Sequence, residues 1–208
     1  MHWIVIGEIF GLFILPLILI YLRIVPFVLR LPIFSFVVAI IGAIVFVQKW
    51  SLEQLGLATP LNWANIAPYL LFTLLGVGLI LFVAFSKHRK APKCWWKHPR
   101  VFYFPLLSIS QEFIFRVFLI ELLFSVSSSP IFVVLISAAV FAAAHLIFAV
   151  KTYEMIMIFS WGLALGFLYV LIPSFILVAA VHIIFNFFIV VYGNAFTKQV
   201  YHRKLKIA

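Results

Sequence analysis

Seven long apolar runs follow one another along the chain, separated by short connections that hold most of the charged residues. Each run has about 17–24 residues, and a helix needs roughly 20 apolar residues to cross a bilayer core about 30 Å thick. The runs are Trp3–Leu22, Leu31–Val47, Ile66–Phe85, Val101–Phe124, Ile131–Val150, Tyr153–Ile172 and Ser174–Tyr192. This pattern predicts an all-α protein, a polytopic transmembrane helix bundle of about seven spans, with six or eight as the alternatives.

The sixth and seventh runs are separated only by Pro173. Proline has no backbone N–H to donate, so it favours a break between two spans over one helix of about 40 residues. We find no internal repeat and no second domain. Residues 1–208 are therefore interpreted as a single transmembrane domain.

Composition excludes a soluble domain. The chain is 67% hydrophobic and 10% charged, with a mean hydropathy of +1.27, whereas soluble domains are about 45–50% apolar and about 25% charged. The net charge of +10 is concentrated at the ends of apolar runs, in Lys87–Arg100 and Lys198–Lys206. Basic clusters in such positions contact anionic lipid, so membrane lipids are the expected partners and nucleic acid is not.

The basic residues also predict an orientation. With the amino terminus outside, thirteen of the fifteen Lys and Arg residues lie in cytoplasmic connections or the tail, and only Lys49 lies on the opposite side. This bias predicts an integral protein of the cell membrane, with a cytoplasmic carboxyl terminus, and we expect that membrane to be bacterial.

Eight polar residues lie inside the predicted spans, where a charge at the helix centre costs about 2.5–3.5 kcal/mol. They are Glu8, Gln111, Glu112, Arg116, Glu121, His145, His182 and Asn186. Six of them form three short motifs on the fourth, fifth and seventh spans. The three motifs lie within a core of about residues 101–192.

In each motif the key residues are four positions apart, and they therefore share a helix face. Glu112 precedes Arg116, Phe141 precedes His145, and His182 precedes Asn186. Taken singly, each motif is also explained by helix packing: a buried ion pair, a hydrogen-bonded histidine, or a hydrogen bond between helices.

The three motifs are more informative together than singly, because their polar groups lie at similar depth. At 1.5 Å per residue, their polar groups lie roughly 8–16 Å from the cytoplasmic ends of their spans. One carboxylate, two imidazoles and a carboxamide at similar depth can activate a water and stabilise a tetrahedral intermediate. The sequence therefore predicts one polar pocket that opens to the cytoplasmic side.

These residues resemble the signature of the CAAX-protease and bacteriocin-processing family of intramembrane proteases (CPBP, or Abi). That signature is Glu-Glu-x-x-x-Arg, Phe-x-x-x-His and His-x-x-x-Asn, which appears here as Gln111-Glu112…Arg116, Phe141…His145 and His182…Asn186. The resemblance implies an intramembrane peptidase, a hydrolase, that cleaves a peptide or lipidated protein substrate near the cytoplasmic face. It also implies that His145 activates water, that His182 and Asn186 form the oxyanion hole, and that Arg116 anchors Glu112.

The first signature glutamate is Gln111 in this chain, and an amide cannot accept a proton at neutral pH. Three explanations follow: His145 is the base and Gln111 positions the water, Glu112 is recruited through a backbone distortion such as a π-bulge, or hydrolysis is lost. In the last case the protein is a membrane immunity, scaffold or peptide-binding factor. A small transporter is the third class, since proton relays also use buried Glu and His.

No cofactor is required by these residues, and a divalent metal such as zinc is the open alternative. A metalloprotease-like site would draw on Glu112, His145 and His182. Other intramembrane hydrolases fit worse, because the chain has no His-Glu-x-x-His and no Gly-x-Ser-x-Gly motif, and it contains no aspartate.

Overall fold

The structure is a computed structural model, and it describes residues 2–26, 29–88, 91, 99–146 and 152–204. All regular structure within these ranges is helical, which confirms the predicted all-α fold. Side chains are described except at 2–4, 30–31, 99–102 and 193–204. Cys94, Trp95 and Trp96 lie outside the described residues, as does most of the basic stretch around them.

Each predicted span coincides with helical structure. The elements are α1 (His2–Ile9), a first π turn (Phe10–Ile14), α2 (Leu15–Tyr21), α3 (Arg30–Val47), α4 (Trp63–Ser86), α5 (Pro99–Glu112), a second π turn (Phe113–Phe118), α6 (Leu119–Phe124), α7 (Pro130–Leu146), α8 (Thr152–Leu171) and α9 (Phe175–Lys204). Helix α8 ends before Pro173 and α9 begins after it, which confirms the predicted break. The predicted end of the fifth span, 147–150, lies outside the described residues.

Three described segments are long and apolar enough to cross a membrane by length and composition alone: Trp63–Ser86, Thr152–Leu171 and Phe175–Tyr192. Shorter apolar helices occupy Val5–Tyr21, Pro32–Val47 and Pro130–Leu146. The segment from α5 to α6 is more polar, because Glu112, Arg116 and Glu121 lie within ten positions of one another.

The bundle exposes many large apolar side chains and buries several polar ones. On α4, Leu74, Leu75 and Phe82 are 62–70% exposed, whereas Thr73 is buried and its hydroxyl donates to the Tyr69 carbonyl at 2.7 Å. Other polar side chains are also buried, namely Ser108, Gln111, Glu112, Arg116, Ser137, Ser174 and His182. Apolar surfaces that face outward and polar groups that face inward are typical of helices in lipid. The protein is therefore an integral membrane protein.

The chain divides into two compact units, one formed by 1–59 with 111–176 and the other by 60–110 with 177–208. In the first unit, α7 and α8 form a close antiparallel pair. A Cβ placed on Gly162 would lie 3.3 Å from the Ala138 Cβ, and one on Gly166 would lie 2.9 Å from a Val134 methyl. Glycine at these positions lets the two helices approach closely.

The connection between α3 and α4 belongs to the first unit as far as Thr59. Gly56 adopts φ +63° and its carbonyl accepts from the Phe175 N–H at 2.9 Å, while the Thr59 hydroxyl donates to the Pro173 carbonyl. These contacts join it to the connection between α8 and α9, so both lie at the same end of the bundle, as alternating spans require. In this connection the pKa of Glu53 lies below its ordinary value, because backbone and Ser51 hydrogen bonds stabilise the carboxylate.

In the second unit, α4 and α9 run parallel. The Phe72 ring lies 5.6 Å from that of Phe185, and further along both helices the Phe85 ring lies 5.9 Å from that of Tyr192. Helix α4 begins at a capped end, where the Asn62 side chain accepts from the Asn65 N–H at 3.0 Å. A parallel pair agrees with the third and seventh spans crossing in the same direction.

Candidate active site

Helix α5, the second π turn and α6 form one continuous helical segment, which we call the motif helix. Glu112 and Arg116 form a buried ion pair on it. The Arg116 Nε lies 3.3 Å from the Glu112 Oε2, and both side chains are fully buried. The predicted neighbour relation on one helix face is therefore confirmed. The Arg116 Nη1 and Nη2 atoms have no hydrogen-bond partner within the described part of the chain. Because a buried guanidinium is costly without an opposite charge, Glu112 is needed to keep Arg116 in this position.

The second π turn begins directly after Glu112 and includes Arg116. Its backbone is marked by the bond from the Leu119 N–H to the Ile114 carbonyl, which spans five residues. The Ser137 hydroxyl, on α7, donates to the Phe115 carbonyl in this turn at 2.8 Å. A π-type distortion of the backbone, which the sequence raised as one explanation, is thus present. The hydrogen bond from Ser137 joins α7 to it. Wide turns of this kind are frequent at functional sites.

Phe141 and His145 lie one turn apart on α7, with their ring centroids 4.7 Å apart. The His145 Nδ1 lies 2.8 Å from the Phe141 carbonyl oxygen. A carbonyl only accepts hydrogen bonds, so we assign the proton of the neutral imidazole to Nδ1 and the lone pair to Nε2. The guanidinium carbon of Arg116 lies 4.4 Å from the centroid of the Phe141 ring, above its face. We refer to Glu112, Arg116, Phe141 and His145 as the charged cluster.

Gln111 is 8% exposed at the end of α5. The structure gives its amide no hydrogen bond to any residue within the described ranges. Adjacent residues of a helix point about 100° apart, so Gln111 and Glu112 face different directions. Among the residues that the structure describes, none occupies the Gln111 amide, so its donors and its acceptor can face a water or a substrate.

His182 and Asn186 lie one turn apart on α9, in the second unit. His182 is buried and Asn186 is half-buried. The Asn186 Nδ2 donates to the Ser108 Oγ at 2.8 Å, and the Ser108 hydroxyl donates in turn to the Phe104 carbonyl at 2.9 Å. We refer to Asn186 and Ser108 as the neutral cluster, and His182 lies one turn before Asn186 on the same helix.

Ser108 is a site residue that the sequence interpretation missed. It is fully buried on α5 and precedes Glu112 by four residues, hence by about one turn on the same face of a continuous helix. That spacing was visible in the sequence, but serine is common in membrane helices as a group that bonds its own backbone. Its contact with Asn186 depends on the packing of α9, which the sequence does not specify.

The structure brings together the members of each cluster, whereas the meeting of the two clusters in one pocket stays a prediction. Two other intramembrane carboxylates are placed elsewhere: Glu8 is half-buried on α1, and Glu121 accepts from the Gln54 amide at 3.2 Å. Among the described residues, no group of three or more His, Cys, Asp and Glu side chains is arranged to hold a metal ion.

Comparison with known proteins supports the motif assignment. No curated protein and no solved structure matches the chain. A family model does match: residues 95–188 correspond to type II CAAX prenyl endopeptidases of the Rce1-like kind. The matched range contains all three motifs and confirms the resemblance predicted from them. Over residues 95–188, the chain is thus similar to the Rce1-like family of type II CAAX prenyl endopeptidases.

Proposed function

We propose that this protein is an intramembrane endopeptidase that hydrolyses a peptide bond near the cytoplasmic membrane face, with its amino terminus outside. The hydrogen bond from His145 Nδ1 to the Phe141 carbonyl is the observation that carries this proposal. It orients the ring and leaves the proton-accepting lone pair on Nε2, as a general base requires. The substrate is a peptide or a lipidated protein, held among membrane lipids.

In this proposal His145 removes a proton from water and Gln111 positions that water. Glu112 is fully buried and paired with Arg116, so its charge is already committed to the ion pair. The π turn does not release it from this pair. Of the three explanations for Gln111, the structure therefore favours His145 as the base over recruitment of Glu112.

The oxyanion of the tetrahedral intermediate would be stabilised by His182 and Asn186. A carboxamide has two N–H groups, and one of those on Asn186 is used by Ser108. This bond fixes the orientation of the amide and leaves the second N–H for the oxyanion.

A metal is not part of the proposed mechanism. A bound zinc would supply an activated water, and its candidate ligands are Glu112, His145 and His182. Arg116 already neutralises Glu112 at 3.3 Å, so a second cation beside this carboxylate would be repelled. The residues present therefore fit an ion pair better than a metal ion.

The second candidate is a catalytically degenerate member that binds a peptide as an immunity or scaffold factor. Gln111 favours it, because an amide can hold a peptide group or a water by hydrogen bonds but cannot act as a base.

Cleavage by the purified protein in proteoliposomes, measured on prenylated and unprenylated peptides, separates the two candidates. The parent should cleave, and His145→Ala should lose about 10²–10⁴-fold in rate, the usual contribution of a general base. A parent without activity, together with cleavage by Gln111→Glu, would instead establish the degenerate protein.

A further inference from the structure

Two ionisable side chains of the site, those of Arg116 and His145, both contact the ring of Phe141. Arg116 lies over its face at 4.4 Å and the His145 ring packs at 4.7 Å. A rotation of this ring would therefore disturb both groups at once. The ring acts together with the bond from His145 Nδ1 to the Phe141 backbone carbonyl to fix the direction of the His145 Nε2 lone pair.

Phe115 is the aromatic residue that holds the Phe141 ring from the motif helix. Their centroids are 5.4 Å apart with an interplanar angle of 80°, an edge-to-face contact in which both rings are buried. Phe115 is itself fixed, because Ser137 holds its carbonyl and the Phe13 ring backs it at 6.0 Å.

Gly162 limits the ring from the opposite helix. A Cβ at this position would lie 3.2 Å from the Phe141 Cδ1, closer than an ordinary contact. The ring thus sits between Phe115 on one side and the backbone of α8 on another, and it has little freedom to turn.

We propose that Phe115 is a positioning residue, which acts through Phe141 to orient His145 and Arg116. The catalytic consequence rests on the function proposed above, whereas the positioning itself does not. Phe115 occupies one of the unspecified positions of the first motif, directly before Arg116, and its ring reaches Phe141 on α7 from the π turn.

Phe118 provides a matched control in the same π turn. It is fully buried, like Phe115 it contacts Phe13, and its other described ring partner is Trp50 at 5.4 Å rather than Phe141. Phe115→Leu and Phe118→Leu therefore remove the same group from equally buried places, and only the first removes the contact with Phe141.

The kinetic test compares these two variants at equal amounts of folded protein. Phe115→Leu should lower kcat about tenfold, or 1.4 kcal/mol, with KM unchanged, and Phe115→Tyr, which keeps the ring, should retain most of the rate. Phe118→Leu should change kcat less than about twofold. Equal losses of kcat in the two leucine variants would reduce Phe115 to a packing residue and overturn the proposal.

An NMR measurement makes the test independent of activity. With ¹⁵N-labelled histidine in nanodiscs, and with His145→Asn to assign the signal, the parent should show a single His145 tautomer protonated at Nδ1. Phe115→Leu should shift or broaden this signal and Phe118→Leu should not; an unchanged signal in Phe115→Leu would overturn the proposal. If Phe115→Leu does not fold, Phe115→Met, which removes the ring but keeps much of the volume, replaces it. A parent that shows this NMR response but no cleavage would refute the proposed function alone.

Discussion

The two polar clusters are held by different physical means. The charged cluster combines a fully buried ion pair with aromatic contacts, so each of its charges depends on the other. The neutral cluster is a chain of hydrogen bonds from Asn186 to Ser108 and on to the Phe104 carbonyl. Ionic groups are expensive to bury unpaired, whereas a neutral hydrogen bond between membrane helices contributes only about 0.6 kcal/mol on average. Stability should therefore depend on the first cluster, and only activity on the second.

The largest expected effect is on stability, from Glu112→Leu. This change leaves the Arg116 charge buried and unpaired and should cost about 3–5 kcal/mol, measured by reversible detergent unfolding. The double variant with Arg116→Leu should recover most of the loss. Glu121→Leu is the control, because Glu121 is half-buried and its described bond to Gln54 is exposed. A loss no larger in Glu112→Leu than in this control would show that the pair is not what holds the motif helix.

Asn186→Ala should act on catalysis and leave the fold nearly intact. Loss of one oxyanion donor lowers kcat by about 10²–10³-fold, while unfolding should change by no more than about 1 kcal/mol. Ile184→Ala, a change on the same helix at a residue that is 38% exposed, is the control for the rate measurement. If Asn186→Ala destabilised the protein as strongly as Glu112→Leu, the difference between the clusters would disappear.

A smaller effect is expected from Ser108→Ala. Ser108 holds the Asn186 amide without reaching the oxyanion, so kcat should fall about threefold, the value of one neutral hydrogen bond between membrane helices of about 0.6 kcal/mol. Combined with Asn186→Ala, it should add almost nothing, because its action passes through Asn186. If the losses of kcat from Ser108→Ala and Asn186→Ala added up in the double variant, Ser108 would have another role.

Chelation should have the smallest effect. Dialysis of the purified protein against a metal chelator is expected to leave the cleavage rate unchanged, because Arg116 occupies the place beside Glu112 that a cation would need. Inactivation that added zinc reverses would contradict the metal-free mechanism.

The sequence predicted the helices and the local pairings well, for a physical reason. Span positions follow from hydropathy, and the contacts of Glu112 with Arg116 and of Phe141 with His145 follow from a spacing of four in a helix. Relations within one helix need no knowledge of its neighbours. For the same reason Pro173 marked the end of a helix without any tertiary information.

The rest depends on packing between helices. The sequence raised a π-bulge as one explanation, but its position at Phe113–Phe118 and its bond to Ser137 could not be derived from it. Trp50 follows the end of α3, and its stacking on Phe118 at 5.4 Å could not be predicted from the sequence. The roles inferred for Ser108 and Phe115 likewise require knowing which neighbouring helix each one faces.

Chemical crosslinking between the clusters tests the central claim most directly. In a Cys94→Ser background, cysteines at 145 and 186 should be joined by a dithiol-specific reagent that spans roughly 10 Å, since groups that act on one reacting centre must lie within hydrogen-bond reach of it. Cysteines at 108 and 186, whose native side chains are 2.8 Å apart, are the positive control, and cysteines at 145 and 184 are the negative control. Efficient joining of 145 to 186 is the predicted result. Joining only in the positive control would contradict a common pocket and, with it, the proposed hydrolysis.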